Sequence, residues 1–147
     1  MELDRLIRDI DLFDGLSEAE IIEIITICRE RRLKPGEILI RQGENGDEMY
    51  LITEGFVEVV LGTRGDNPPR VMITLGPGQV TGEMALLDKG ARSATVRAVS
   101  DPTIVQAIRR QEFDALCQKN TRIGYKVMRN IAIDLVFKLR HRNLTEE

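Results

Sequence analysis

Apolar residues fall at helical spacing near both ends of the chain and in short, turn-separated runs between them. Over residues 2–28 the pattern predicts helix. Ser17 followed by Glu20 is a capping-box pair, and Ile21, Ile22, Ile24, Ile25 and Cys28 then share one side of a helix. From 30 to 109 the period changes. Pro35-Gly36 precedes Glu37-Ile38-Leu39-Ile40, and Gly43 to Gly46 precede Met49-Tyr50-Leu51-Ile52. Glu54-Gly55 then leads into Phe56-Val57-Glu58-Val59-Val60-Leu61. A turn-rich stretch from Gly62 to Pro69 is followed by Val71-Met72-Ile73, and later by the runs Thr95–Val99 and Thr103–Ile108. Short strands at this spacing, punctuated by glycine, predict a barrel, sandwich or roll.

After residue 110 the helical period returns. Gln111 to Lys119 form a short predicted helix and Thr121 to Asn143 a longer one. The long helix carries Ile123, Val127, Ile131, Leu135 and Leu139 four residues apart, with Met128, Ala132, Val136 and Phe137 widening the apolar surface. Helices on both sides of a strand-rich region give an α+β domain. The expected division is N-terminal helices over 1–29, strands over 30–109 and C-terminal helices over 110–147, all within one domain of 147 residues.

Composition narrows the classes. Apolar residues make up 42% and charged residues 31%, and the net charge of -3 gives no general attraction to nucleic acid or an anionic membrane. No apolar stretch approaches the roughly 20 residues that cross a bilayer, and the first residues lack a signal-peptide pattern, so a cytoplasmic location is expected. Cys28 and Cys117 are far apart and have no metal-like spacing, and His141 is the only histidine. No metal site is expected, because such sites gather several His and carboxylate ligands. No nucleophile–base arrangement stands out, and no enzyme activity is expected.

The stretch from Gly76 to Val96 interrupts the strand pattern and carries the chemistry. Gly82 lets backbone approach a ligand closely, and N–H groups at the start of the following short helix favour an anion. Glu83, acceptor-only when ionised, suits a ribose hydroxyl. Arg92 offers a planar, permanently charged fork for phosphate oxygens, and the small Ser93 and Ala94 leave their N–H groups reachable. Together these residues suit a small phosphorylated sugar.

The order Gly82-Glu83-Met84-Ala85-Leu86, then Arg92-Ser93-Ala94, resembles the phosphate-binding cassette of the cyclic-nucleotide-binding domain family, to which the catabolite activator protein and the regulatory subunits of cyclic-AMP-dependent protein kinase belong. The resemblance extends along the chain. Leu12-Phe13-Asp14-Gly15-Leu16-Ser17 is similar to the family's leading helix and turn. Pro35-Gly36-Glu37, Arg41-Gln42-Gly43-Glu44 and Met49-Tyr50-Leu51-Ile52 with Glu54-Gly55 are similar to its strands. Asn130-Ile131-Ala132, Leu135 and Lys138-Leu139-Arg140 are similar to its long C-terminal helix. One departure is Thr81, where the family often has phenylalanine before the glycine.

The resemblance implies an antiparallel β-roll (a double-stranded β-helix, jelly-roll-like) flanked by N-terminal helices and a long C-terminal helix. It implies a cassette over 82–94 in which Glu83 and the Gly82 backbone take the ribose, Arg92 pairs with the cyclic phosphate, and Ser93 and Ala94 supply N–H donors. Met84 and Ala85 would lie in the cassette's short helix. Val59 and Met72 are expected beside the base, and Arg142 and Asn143, near the end of the long helix, are expected to reach it. The implied ligand is cyclic AMP, with cyclic GMP as the alternative, and no further cofactor. The implied role is a non-catalytic sensor whose C-terminal helix responds to ligand, and the wide apolar surface of that helix predicts a homodimer through it; a ligand-free dimerisation module of the same fold is the other reading. No recognition helix follows the long helix in these residues, so DNA binding by them is not expected.

Overall fold

In the computed structural model residues 2–62 and 70–145 are described, with side chains over 3–62 and 70–141. Most of the turn expected at Gly62 to Pro69 lies outside the described residues, as do the side chains of Arg142 and Asn143. Contacts divide the chain into two compact units, Ile27–Phe113 and Met1–Thr26 with Asp114–Glu147.

Among the described residues the first unit holds eight strands: β1 (Cys28–Leu33), β2 (Ile38–Ile40), β3 (Glu48–Glu54), β4 (Val57–Leu61), β5 (Arg70–Leu75), β6 (Val80–Thr81), β7 (Thr95–Ala98) and β8 (Thr103–Arg109). They form two four-stranded antiparallel sheets, ordered β1-β8-β3-β6 and β2-β7-β4-β5. The inward residues of both sheets meet in one cluster, with Tyr50, Ile52, Val105 and Ala107 from one and Ile40, Val57, Val96 and Ala98 from the other. Each fully buried aliphatic side chain there contributes about 1.5–3 kcal/mol. β3 and β8 are buried on both faces, which is why they read as continuous apolar runs rather than alternating ones.

Two strands depart from the sequence pattern. The expected N-terminal helix stops at Thr26, and Cys28 opens β1 instead of closing the helix. Arg29-Glu30-Arg31-Arg32 carries no apolar alternation, and pairing with β8, from Cys28↔Ile108 to Leu33↔Thr103, makes it a strand. β6 is only two residues long and is defined by its bonds to Tyr50 and Leu51.

The other unit consists of helices α1 (Glu2–Arg8) and α2 (Glu18–Thr26), a 3-10 turn at Asp11–Phe13, the later part of α3 (Arg110–Lys119), and α4 (Thr121–Thr145). The capping box forms as expected: the Ser17 N–H donates to the Glu20 carboxylate at 2.9 Å, and the Glu20 N–H donates to the Ser17 hydroxyl at 3.2 Å. Arg122 of α4 pairs with Glu20 and donates to the Gly15 carbonyl at 3.0 Å. The Asn130 amide donates to the carbonyls of Leu12, at 3.0 Å, and Asp14, at 2.9 Å. Ile123, Val127 and Ile131 are buried. Beyond them the expected stripe runs out into solvent: Leu135 is half-buried, and Val136, Phe137 and Leu139 are exposed, as is Ile133, which the stripe did not include.

Candidate functional site

The strand-rich unit contains a cavity of about 350 Å³. Its walls include Gly82, Glu83, Met84, Ala85, Arg92, Ser93, Ala94 and Val59. The first seven are the residues that sequence reasoning assigned to the ligand-binding cassette. Val59 and Val96 face each other across β4 and β7 and supply apolar wall. Met72 does not line the cavity. It lies half-exposed on β5, the edge strand of its sheet, at the register shift where Val59 pairs with Ile73 and Val60 with Val71. That bulge leaves Met72 without a partner residue in β4, so an apolar position next to the right strand was not enough to bring it to the site.

The cassette's shape follows from local chemistry. Gly82 has φ of 77°, a left-handed conformation that disfavours any side chain, and it precedes a 3-10 turn over Glu83–Leu86. The Ala85 N–H returns to the Gly82 carbonyl at 3.0 Å and the Leu87 N–H to the Met84 carbonyl at 3.0 Å. On the far side of the cavity the chain is strapped to the loop after β2. The Arg92 N–H donates to the Glu44 carbonyl at 2.8 Å, the Gly43 N–H donates to the Arg92 carbonyl at 2.9 Å, and Asn45 and Ala91 form an isolated bridge.

These bonds fix the backbone of Arg92, and two carbonyl oxygens fix its side chain. Nη2 donates to the Glu48 carbonyl at 2.6 Å and Nη1 to the Gly82 carbonyl at 3.4 Å. Among the described residues no carboxylate forms an ion pair with Arg92. The approach is possible because two neighbours lack side chains: a Cβ on Gly82 would stand 2.8 Å from Nη1, and one on Gly46 would stand 2.1 Å from Nε. Glu48 is itself anchored. Its carboxylate accepts from the Tyr50 hydroxyl at 2.8 Å and pairs with Arg31 at 3.6 Å and Arg109 at 3.3 Å. Burial, and then the bond to Glu48, push the Tyr50 hydroxyl up to about 12, so it remains a neutral donor.

Sequence reasoning missed Gly46 and Glu48, and also the cavity walls supplied by Ile40, Thr81, Asp88, Gly90 and Ala91. Gly46 read only as a turn glycine, although its backbone has no need of positive φ. Neither cysteine is in a disulfide, and both thiols stay protonated near neutrality, because burial pushes Cys28 up to about 12 and, with Asp114 adding to burial, Cys117 up to about 11. No helix among the described residues is long and apolar enough to cross a membrane.

The family model described as cyclic nucleotide-binding domain matches residues 30–120. The chain belongs to this family. A cyclic nucleotide-gated potassium channel of Mesorhizobium japonicum is 33% identical over 88% of this chain and 34% of the channel. The cyclic AMP receptor protein of Thermus thermophilus is 32% identical over 90% of this chain and 59% of its own length. The crystal structure of a catabolite activator protein from the same organism superposes with a TM-score of 0.80 at 32% identity, covering 92% of this chain and 61% of that one. The mouse cGMP-dependent protein kinase 2 is 29% identical over 77% of this chain and 15% of the kinase. The chain thus spans between 15% and 59% of the length of these curated relatives. The expected α+β fold, with antiparallel sheets, N-terminal helices and a long C-terminal helix, is the one observed.

Proposed function

We propose that residues 1–147 act as one cytoplasmic cyclic-nucleotide-binding domain that takes cyclic AMP, in preference to cyclic GMP, as a signal and performs no chemistry on it. The observation that carries this reading is the cavity in which Arg92, fixed by carbonyl oxygens, shares a wall with Glu83 and the Ser93-Ala94 backbone. A guanidinium has five N–H donors, and two of those on Arg92 are engaged. Its charge is available to the cyclic phosphate, with the Ser93 and Ala94 N–H groups beside it. Glu83 accepts from the ribose 2′-hydroxyl, Met84 and Ala85 lie in the turn beneath, and Val59 borders the base. Arg142 is proposed to stack on the base and Asn143 to hydrogen-bond its edge.

Ser93 fits cyclic AMP, as in members with Arg-Ser-Ala, and its hydroxyl can also accept from the guanine 2-amino group. Calorimetric titration with each nucleotide, followed by competition, tests both levels of the reading. Saturable binding with cyclic AMP the tighter ligand is expected. A preference for cyclic GMP overturns the choice of base, and binding of neither nucleotide leaves a ligand-free dimerisation module.

We infer further that α4 is a homodimer surface and responds to ligand. The support is the exposed apolar set Ile133, Val136, Phe137 and Leu139. Light scattering that gives a monomer mass at high concentration, with and without nucleotide, overturns the dimer. Hydrogen exchange over 121–143 that ignores saturating ligand overturns the response.

A further inference from the structure

Arg110, the first residue of α3, lies outside the cavity lining, yet it touches the backbone that builds the site. Its Nη1 donates to the Ala85 carbonyl at 3.3 Å and to the Asp88 carbonyl at 3.2 Å. Its main-chain N–H donates to the Asp47 carbonyl at 2.7 Å. We propose that Arg110 is a positioning residue of the nucleotide site, holding the Glu83–Leu86 turn at a fixed spacing from the loop that seats Arg92. This rests on the cyclic-nucleotide reading of the site.

The turn needs such a partner. A 3-10 segment of this length has little stability of its own, and its last carbonyls have no acceptor role inside it. The Gly82 and Met84 carbonyls are used within the turn, by the N–H groups of Ala85, Leu87 and Asp88. The Ala85 and Asp88 carbonyls go to Arg110. At the other end, Asp47 and Glu48 are consecutive residues whose carbonyls receive the Arg110 N–H and the Arg92 guanidinium respectively. One stretch of backbone therefore anchors both arginines. Through Arg110 the position of Glu83, at the ribose end, is tied to the anchor of Arg92, at the phosphate end.

The partner choice separates Arg110 from the ordinary arginines of this unit. Arg29, Arg31, Arg97 and Arg109 each meet a carboxylate. Arg110, like Arg92, spends its bonds on carbonyl oxygens instead. A planar, always-charged group can serve two carbonyls from one nitrogen while its stem stays fixed; an ammonium is a point charge on a looser stem, and a neutral amide lacks the charge. Lysine at this position is therefore a partial substitute and glutamine a poor one.

The test compares wild type, Arg110→Gln and Arg110→Lys by hydrogen exchange in the ligand-free protein and by cyclic AMP titration. For Arg110→Gln, the amides of residues 83–88 are expected to exchange about tenfold faster while those of β3 and β8 keep their protection, and affinity is expected to fall about tenfold. Arg110→Lys is expected to fall between the two on both readouts, and it carries the test if the glutamine variant does not fold. Unchanged exchange at 83–88 in the folded variants overturns the proposal. So does unchanged affinity, or a loss of protection that is equal in the cassette and the β strands, which would mark a merely structural residue. If the wild type binds neither nucleotide, the cyclic-nucleotide reading falls, and the exchange comparison still decides whether Arg110 holds the turn.

Discussion

Arg92, in the strand-rich unit, and Arg122, in the helical unit, are given opposite surroundings. Arg122 pairs with the Glu20 carboxylate, whose side chain is 8% exposed, and the Ser17 N–H and the Asn120 amide also bond that carboxylate. Its charge is cancelled within the unit. The partners of Arg92 are the carbonyl oxygens of Glu48 and Gly82. Carbonyl dipoles orient a guanidinium without neutralising it, so a whole positive charge remains at the cavity wall. The first arrangement suits a clamp between an N-terminal turn and a long helix. The second suits the capture of an anion, because the cost of orienting the charge is met before the ligand arrives. Partner type separates the two roles, where residue type does not.

The sharpest way to break this contrast is to remove each arginine's function separately. Arg92→Ala removes a forked, charge-assisted contact and is expected to weaken cyclic AMP binding by about 2–4 kcal/mol while moving the melting temperature little. Calorimetry that finds unchanged affinity removes Arg92 from the phosphate. Glu20→Gln should do the reverse: lower stability by about 1–3 kcal/mol in denaturant titration, with cyclic AMP affinity unchanged. Acid supplies an independent check. Burial raises the Glu20 carboxyl's pKa, but the bonds from Ser17, the Arg122 charge and the bond from Asn120 outweigh it and leave it below the ordinary 4.5. A carboxyl depressed on folding contributes stability that is fully present above its unfolded value and is lost as pH falls through the folded one. Wild type should therefore lose stability below pH 4.5 more steeply than Glu20→Gln. Parallel pH profiles would show that the carboxylate is no clamp.

The third prediction concerns the space that lets Arg92 lie where it does. An alanine Cβ at position 46 would stand 2.1 Å from its Nε. The backbone there does not require glycine, so Gly46→Ala should cost little stability and push the guanidinium off the Glu48 carbonyl. A loss of affinity of about 1–2 kcal/mol with an unchanged melting temperature is expected, since the shorter of the two charge-assisted bonds that orient the guanidinium is lost. A variant that binds as wild type would mean that the Glu48 anchor is dispensable.

These cases show what could be read in the sequence. The capping box at Ser17 and Glu20 was legible because it is a local, spacing-defined device, and it forms as read. The cassette from Gly82 to Ala94 was legible because its residue order is unusual and contiguous, and the fold brings those residues to one cavity. β1 was illegible, since its charged residues become a strand only by pairing with β8, distant in sequence. Met72 stands apart from the cavity lining, on a strand that a bulge re-registers, and no pattern in Val71-Met72-Ile73 announces one. Gly46 and Arg110 act on the cassette from elsewhere in the chain, through backbone carbonyls that every residue possesses. Residue identity carries no trace of which carbonyl will be used.

The smallest expected effect tests the ribose end of the contrast. Glu83 lines the cavity at the start of the 3-10 turn, across from the arginine assigned to the phosphate. A carboxylate cannot donate, so it can serve the 2′-hydroxyl and would repel the phosphate. Glu83→Gln keeps the shape and one carbonyl acceptor but removes the charge. The expected cost for cyclic AMP is about 0.5–1.5 kcal/mol, the net worth of one hydrogen bond, with part of the acceptor retained. The 2′-deoxy analogue lacks the hydroxyl, so wild type should bind it more weakly than cyclic AMP, and Glu83→Gln should change its affinity little. The diagnostic quantity is the interaction between the two changes, not either loss alone. Equal losses for both ligands would mean that Glu83 acts through the shape or charge of the turn, and would remove it from the ribose while leaving Arg92 in place.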